Sequence, residues 1–341
     1  MMIRLLLSCS LVLAACGDDG TSGDDDDDVT VDASTNPGDP DAFVPPGDSF
    51  TVDWGPVNAN PGEEDTRCVV KKLGNTTELR THQIHNVLGD ASHHLIVYRV
   101  NDTTEQPEPF ACEPFVETLS PDSGAPLMIT QKAEETLTLP DGVAFVMQPD
   151  QMVRLELHYI NATDSAIDVT ASSTFVPIPD GEFTDEADLM FMGDVDIEIP
   201  ANSTATLGPS YIPMPAELVG SKFFAITGHE HQWGTDVVVD TAMNQTTVID
   251  TVYDVANFNW DEPETTRYDP PFAAPDGGGF RITCSWDNQS SSTVSFGESA
   301  NQEMCFFWAY YYPSKGAKVC FKHFSSGLSG CCPGDAVCGF L

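Results

Sequence analysis

The chain has 341 residues, of which 41% are hydrophobic, enough to bury a sizeable core in one or two domains. Its 53 acidic residues against 14 Lys and Arg give a formal net charge of −39. This charge argues against nucleic acid as a partner, because binding to phosphates needs positive charge, and it favours a surface exposed to salt or cations.

The N-terminus has the pattern of a secretory signal. Arg4 precedes an apolar stretch over residues 5–13, and a small-residue cleavage site, Leu-Ala-Ala-Cys16, follows. The stretch is shorter than the roughly 20 residues that span a bilayer as a helix. Because Leu-Ala-Ala-Cys resembles a bacterial lipoprotein signal, we expect residues 1–16 to be this signal, with Cys16 lipidated. The alternative is an ordinary cleaved signal with an incidental Cys.

This signal predicts an exported protein, held by its lipid to a bacterial membrane on the periplasmic side or the outer surface. Residues 17–50 then contain eleven Asp and no Lys or Arg. Such a segment cannot bury enough apolar surface to offset its ordering entropy, so we expect a disordered acidic linker. Without these Asp and Arg4, 42 acidic and 13 basic residues remain, so the folded part is acidic too.

Beyond the linker, the sequence is typical of β-structure. Short runs of alternating or β-branched apolar residues recur between Gly, Pro, Asn and Asp clusters, and no stretch keeps a 3.6-residue apolar period. We therefore predict an all-β fold of two tandem antiparallel β-sandwich (jelly-roll-like) domains. The Pro- and Gly-containing segment 175–183 is the best internal boundary, which gives domains at 51–178 and 179–341.

Cysteine usage fits an oxidising compartment. Apart from Cys9 and Cys16 there are eight Cys, an even number that suggests disulfides in an exported protein. Because no Cys-x-x-Cys occurs, a zinc ribbon or thioredoxin motif has no support. The C-terminal stretch 320–341, which contains Cys320, Cys331, Cys332 and Cys338, is expected to be a small disulfide-tied appendage of unassigned pairing.

Histidines in the first half form one candidate metal cluster. The adjacent His93 and His94 would point to opposite faces of a regular strand, so joint ligation needs a bulge or a strand end, which residues 89–92 could supply. His158 ends an alternating run and leaves its apolar face. It is either a solvated strand His or a ligand on a wall that faces the second domain.

The second half carries another candidate cluster. His229 and His231 flank Glu230, and on a strand this i, i+2 spacing points both imidazoles to one face, as two ligands of one ion require. A hydrogen-bonded surface pair is the alternative. Met304 precedes a run of aromatic residues, where a Met would ordinarily fill the core.

Together these strings resemble the copper type II, ascorbate-dependent monooxygenases, the group of peptidylglycine alpha-hydroxylating monooxygenase and dopamine beta-monooxygenase. The likeness runs from about residue 50 onward and follows the family order: His-His before an apolar strand, His-Tyr at a strand end, His-x-His, then Met-Cys. It implies two copper ions, one on His93, His94 and His158, the other on His229, His231 and Met304. It also implies disulfides Cys68–Cys112 and Cys284–Cys305.

The resemblance further implies roles for the two sites. Three imidazoles suit an ion that stores and passes an electron, whereas two imidazoles and a thioether favour Cu(I) and leave a position for O2, which makes His229, His231 and Met304 the catalytic set. A substrate C–H bond would be hydroxylated with O2 and with ascorbate or another electron donor. His82, His85 and His323 match no ligand position and are interpreted as ordinary polar residues, with His85 the first candidate for an exception.

The sequence departs from the peptide-hydroxylating members where they hold a substrate carboxylate. Thr227 stands where those members have Arg, and Phe306 and Trp308 stand where they have polar residues. The missing Arg and the acidic charge favour a neutral or cationic small-molecule substrate. Phe306, Trp308 and Tyr310 either line an aromatic pocket or pack in the core. A non-catalytic copper-handling lipoprotein and a β-sandwich binding module with incidental His are the competing interpretations.

Overall fold

The structure is a computed structural model that describes residues 43–112, 124–297, 299, 301–323 and 328–333. The signal at 1–16 with Cys16, residues 17–42 of the acidic linker, and Cys338 lie outside these residues. Within them, the one helical element is a 3-10 turn at Ala216–Leu218, and no helix has the length and apolar character to cross a membrane. The predicted all-β class is confirmed.

The first half of the fold consists of two facing sheets. Its strands are β1 (Phe50–Ala59), β2 (Glu64–Lys72), β3 (Leu79–Leu88), β4 (Ser92–Val100), β5 (Gln106–Ala111), β6 (Gly124–Thr130), β7 (Glu134–Thr138), β8 (Val143–Met147), β9 (Met152–Ile160), β10 (Ile167–Pro177) and β11 (Asp185–Glu186). One sheet has the order β1-β10-β3-β8-β11, with β7 also paired to β3, and the other has the order β5-β2-β9-β4-β6. The inward faces of both sheets share one apolar core.

The second half also has two main sheets and a short two-stranded one. Its strands are β12 (Asp188–Asp194), β13 (Glu198–Ile199), β14 (Ser203–Pro213), β15 (Lys222–His229), β16 (Gly234–Asn244), β17 (Thr247–Asp254), β18 (Thr265–Ala273), β19 (Gly279–Asn288), β20 (Val294–Ser295), β21 (Phe306–Tyr312), β22 (Lys318–His323) and β23 (Leu328–Cys332). The orders are β18-β15-β21-β12-β22-β23, β14-β19-β16-β17 and β13-β20. Pairing is antiparallel except for β8 with β11 and β12 with β22.

The sheet that contains β21 is a layer shared by two cores. Along β21, Phe306, Trp308 and Tyr310 join the core of the first half, while Phe307, Ala309 and Tyr311 join the core of the second. The period of two along a strand produces this division. The halves are therefore joined by continuous apolar packing, and the predicted domain limits, 51–178 and 179–341, stay a prediction.

Three disulfides join two described cysteines each. Cys68–Cys112 and Cys284–Cys305, the two pairs that the resemblance implied, are present, and Cys320–Cys331 joins β22 to β23. Cys284–Cys305 ties β19 to the residue that follows Met304. The segment on which Met304 lies is thus covalently held to the second core.

Candidate metal centres

A bulge brings His93 and His94 together. The register between β4 and β9 shifts between Ser92 and His94, and Ala91 has a left-handed φ of 64°. The shift breaks the alternation that would send the two imidazoles to opposite faces, as the sequence required for joint ligation. The predicted irregularity at this point of the strand is confirmed.

The first histidine set consists of His93, His94 and His158. His94 and His158 are cross-strand partners on β4 and β9. One ligand atom from each of the three lies within 4.8 Å of the others, and Nδ1 of His93 is 3.2 Å from Nδ1 of His94. Two nitrogens bound at about 2.0 Å to one ion in tetrahedral geometry would be about 3.3 Å apart, so the pair fits a shared metal ion.

His158, on β9, is buried more deeply than the alternating sequence of this strand suggested. β9 lies between β2 and β4, and both faces of it are covered, with His158 6% exposed and Glu156 fully buried. The interpretation as a solvated strand His is therefore wrong. Nε2 of His158 lies 3.0 Å from Oε1 of Glu64, so Nδ1 is the nitrogen of this ring that could bind a metal ion.

The second histidine set lies at the end of β15. The rings of His229 and His231 have centroids 5.1 Å apart, and Nδ1 of His231 lies 3.0 Å from the carbonyl oxygen of Gln302. The Glu303 carboxylate accepts the main-chain N–H of His231 at 2.8 Å. The segment 302–304 therefore runs beside His231, and it brings the buried Met304 to the same edge of the sheet.

Burial keeps these imidazoles neutral. It lowers the pKa of His93 to about 3 and that of His231 to about 4, and it lowers the pKa of His158 and, much further, those of His94 and His229. Repulsion between the sets adds to this effect, since His231 lowers the pKa of His93. Neutral imidazole is the form that binds metal, so both sets are ready for an ion at neutral pH.

Groups that the sequence analysis did not single out lie near the outer nitrogens of these rings, and Asp261 does so without a hydrogen bond. Glu64 contacts His158, Asp261 Oδ1 lies 3.5 Å from Nε2 of His93, and Gln131 Oε1 lies 3.1 Å from Nδ1 of His229. The Trp260 ring lies beside His93 at a tilt of 31°, with ring centroids 5.4 Å apart, and the Trp260 carbonyl accepts a hydrogen bond from Gln131. The contacts of Glu64 and Gln131 span 94 and 98 residues of sequence, and no local motif signals them.

The remaining histidines have structural contacts. His85 is buried, stacks on Phe43 and hydrogen-bonds Thr136 Oγ1 at 2.8 Å, and Nδ1 of His82 lies 3.1 Å from the Val143 carbonyl oxygen. Neither joins a metal-binding group of His, Cys, Asp or Glu within the described residues. The side chain of His323 lies outside what the structure describes.

The aromatic row on β21 packs in the core. Phe306, Trp308 and Tyr310 are each 2–3% exposed and belong to the cluster that joins the two halves. The Trp308 ring centroid is 6.0 Å from that of His229. Of the two alternatives for this row, core packing is the one that the structure shows. Thr227 is buried nearby and shares a hydrogen bond with Thr265.

Comparison with known proteins covers the part of the chain that contains the second set. Residues 186–329 match the family model of the copper type II ascorbate-dependent monooxygenase, C-terminal domain. The matched segment contains His229, His231 and Met304 and ends before the C-terminal Cys332. The family resemblance is thus confirmed over this part of the chain, and the match does not extend to His93, His94 or His158.

Two solved structures cover most of this chain at low similarity. The major capsid protein P2 from Bacteriophage PM2 is 9% identical, with a TM-score of 0.33, and covers 79% of this chain and 99% of its own. PNGase F, a glycosylasparaginase from Flavobacterium meningosepticum, is 10% identical, with a TM-score of 0.35, and covers 79% of this chain and 97% of its own. At TM-scores this low, the likenesses bear on neither site.

Proposed function

We propose that the chain is a copper-dependent monooxygenase that hydroxylates a C–H bond of a small substrate with O2 and an external one-electron reductant. The observation that carries the proposal is the presence of two donor sets: three imidazoles gathered by the β4 bulge, and a His pair within the matched segment, where His229 pairs across the sheet with Phe306, two residues after Met304. A series of contacts supports the closeness of the two sets: Trp260 lies beside His93, and Gln131 contacts both the Trp260 carbonyl and His229.

Each set has donors suited to one part of this reaction. Copper, when bound, supplies one-electron redox chemistry and activation of O2. The first site would bind copper in either oxidation state through His93, His94 and His158. The second site would favour Cu(I), because Met304 adds a thioether to His229 and His231. Insertion of one oxygen atom, with the other released as water, consumes two electrons, which two one-electron sites can deliver. Ascorbate, the donor of the family, or another reductant would restore them.

We propose a neutral or cationic substrate. Thr227 offers no positive charge for a carboxylate, and the whole chain has a net charge of −39. An acidic cleft of about 490 Å³, whose lining includes the sequence neighbours of Gln131 and Asp261, is consistent with this preference. The cleft is lined by Lys132, Glu134, Glu135, Thr136, Glu262, Glu264, Thr265 and Arg267.

We also propose export and a lipid anchor on Cys16. The Leu-Ala-Ala-Cys string after a short apolar stretch supports this localisation. Incorporation of a labelled fatty acid into the expressed full chain tests it: the wild type should be labelled, and the Cys16→Ser variant should not.

The function is tested by metal content and turnover. We expect the full chain to bind two copper ions and to consume O2 in the presence of a reductant. The variant Met304→Ile should lose O2 consumption while the first site still binds copper. The variant Met243→Ile changes a Met that is 38% exposed, so it should behave like the wild type.

Three outcomes separate the alternatives. Fewer than two coppers per chain would refute the two-site proposal. Two coppers without reductant-dependent O2 consumption would identify a copper-handling protein in place of an enzyme. Full O2 consumption in Met304→Ile would show that this Met is not part of the catalytic site.

A further inference from the structure

The two histidine sets differ in the charge of the groups behind their rings. In the first set, Nε2 of His158 is 3.0 Å from the Glu64 carboxylate, and Nε2 of His93 is 3.5 Å from the Asp261 carboxylate. In the second set, the corresponding partners are neutral. They are the side-chain amide oxygen of Gln131 for His229 and the main-chain carbonyl of Gln302 for His231.

A carboxylate behind an imidazole changes the metal more than an amide does. It attracts the N–H proton of the ring, makes the other nitrogen a stronger donor and adds negative charge near the ion. Stronger donation and negative charge stabilise Cu(II) more than Cu(I). A neutral amide or carbonyl fixes the orientation of the ring without that bias, and a thioether ligand favours Cu(I) further.

On this basis, and resting on the proposed copper function, we infer that Glu64 and Asp261 are positioning residues that set the reduction potential of the first copper below that of the second. Transfer of one electron from the first site to the second is then downhill. The direction of electron transfer thus follows from the contacts of the outer ring nitrogens as well as from the ligands. This inference assigns a role to two carboxylates that do not themselves bind the ions.

Geometry ranks the two carboxylates. Glu64 is within hydrogen-bond distance of His158, and its side chain is 37% exposed, whereas Asp261 is at 3.5 Å and its side chain is 59% exposed. Greater distance and greater exposure to water both weaken an electrostatic effect. Glu64 therefore contributes more than Asp261.

Among the described residues, the Glu303 carboxylate lies near the second site but contacts groups other than its rings. Glu303 accepts main-chain N–H groups of His231 and Trp233 and the indole N–H of Trp286. Its contacts are thus with the backbone of a proposed ligand residue and with a neighbouring Trp, and none of them is with an imidazole ring of the second set.

The test is a potentiometric titration of the copper-loaded full chain, followed by the electron paramagnetic resonance of Cu(II). The first-site signal is the one that His94→Ala removes. Loss of an outer-shell partner commonly weakens metal binding about 10- to 100-fold. If Glu64→Gln weakens only Cu(II) binding by that factor, the first-site potential rises by about 59 to 118 mV, at 59 mV per tenfold change.

Matched variants sharpen this result. Asp261→Asn should raise the first-site potential by a smaller amount, and Glu262→Gln, which removes the neighbouring exposed charge without a ring contact, should leave it unchanged. Gln131→Glu should lower the second-site potential. If a variant releases its first copper, separate competition titrations with Cu(I) and Cu(II) replace the potential, and a selective loss of Cu(II) affinity is expected.

Three results would overturn the inference: an unchanged first-site potential in Glu64→Gln, an equal loss of Cu(I) and Cu(II) affinity in that variant, or a wild-type first-site potential above the second. Each leaves the copper function intact, since both coppers would still be bound. Absence of two coppers from the wild type would instead overturn the proposed function itself.

Discussion

Removal of the Arg99 guanidinium should destabilise the junction between the two halves of the fold. Arg99, on the His-bearing strand β4, lies 3.3 Å from the Asp188 carboxylate at the start of β12 and 3.0 Å from Glu186. The Asp188 side chain is 1% exposed, and Arg99 also donates to the Val146 carbonyl. Arg99→Leu therefore leaves a buried carboxylate without its cation.

Loss of one partner of a buried ion pair costs about 3–5 kcal/mol. Because Arg99 is 20% exposed and Asp188 keeps hydrogen bonds from Ser314 and Gly316, we expect the lower end, about 3 kcal/mol. The exposed pair Arg80–Glu78 supplies a matched control, since Arg80→Leu should cost less than about 1 kcal/mol. Urea unfolding at neutral pH measures both.

The sign of the pH dependence gives a second check. Burial raises the pKa of Asp188 above its ordinary value of 3.8, whereas Arg99 lowers it, so Arg99→Leu raises this pKa further. The folded variant then retains a proton at pH values where the unfolded chain has lost it. The loss of unfolding free energy in this variant is complete above the pKa that Asp188 has in the folded state, and it disappears as the pH falls toward 3.8. The stability gap to the wild type should therefore narrow on acidification.

A double-mutant cycle completes this prediction. Asp188→Asn in the Arg99→Leu background removes the buried charge, so it should recover part of the lost unfolding free energy and abolish the narrowing of the gap with pH. A loss below about 1 kcal/mol in Arg99→Leu, or a gap that is constant with pH, would refute the reasoning.

Three further substitutions probe the region of the second site. Gly193→Ala would place a Cβ 2.3 Å from the Cys305 carbonyl, so we expect a loss of about 3 kcal/mol or more in thermal or urea unfolding, whereas Gly47→Ala, with nothing within 4 Å, should be neutral. Cys284→Ser removes a disulfide with a sequence separation of 21, which should lower the unfolding free energy by about 3 kcal/mol and weaken second-site copper binding by titration. Trp308→Ala truncates a side chain that is 3% exposed, for an expected loss of about 3–5 kcal/mol in denaturant unfolding.

The sequence was sufficient for the features that are encoded locally. Alternating runs predicted strands, the i, i+2 spacing of His229 and His231 placed both rings at one strand end, and the turn-forming residues before His93 predicted the irregularity that the β4 register contains. Each of these depends on dihedral preferences and side-chain periodicity within about ten residues, which a single sequence displays.

Features that depend on how the sheets pack against one another could not be predicted from the sequence. The parallel pairing of β12 with β22 and the continuous apolar layer between the halves arise from packing of distant strands. For the same reason, the sequence left Trp308 undecided between a pocket and the core, because an aromatic row with period two is equally compatible with both. Only the presence of the first sandwich against that face decides for the core.

The proposed ligands are encoded locally, whereas their outer partners depend on the packing of distant strands. His93, His94, His229 and His231 belong to short strings that keep their geometry wherever the strand lies, whereas Glu64 and Gln131 reach their histidines across more than 90 residues. A chain can therefore retain every ligand while the charges behind the rings change with the packing of the sheets. Those charges stabilise Cu(II) relative to Cu(I). Two proteins with identical ligand strings can therefore differ in the driving force for electron transfer between their sites.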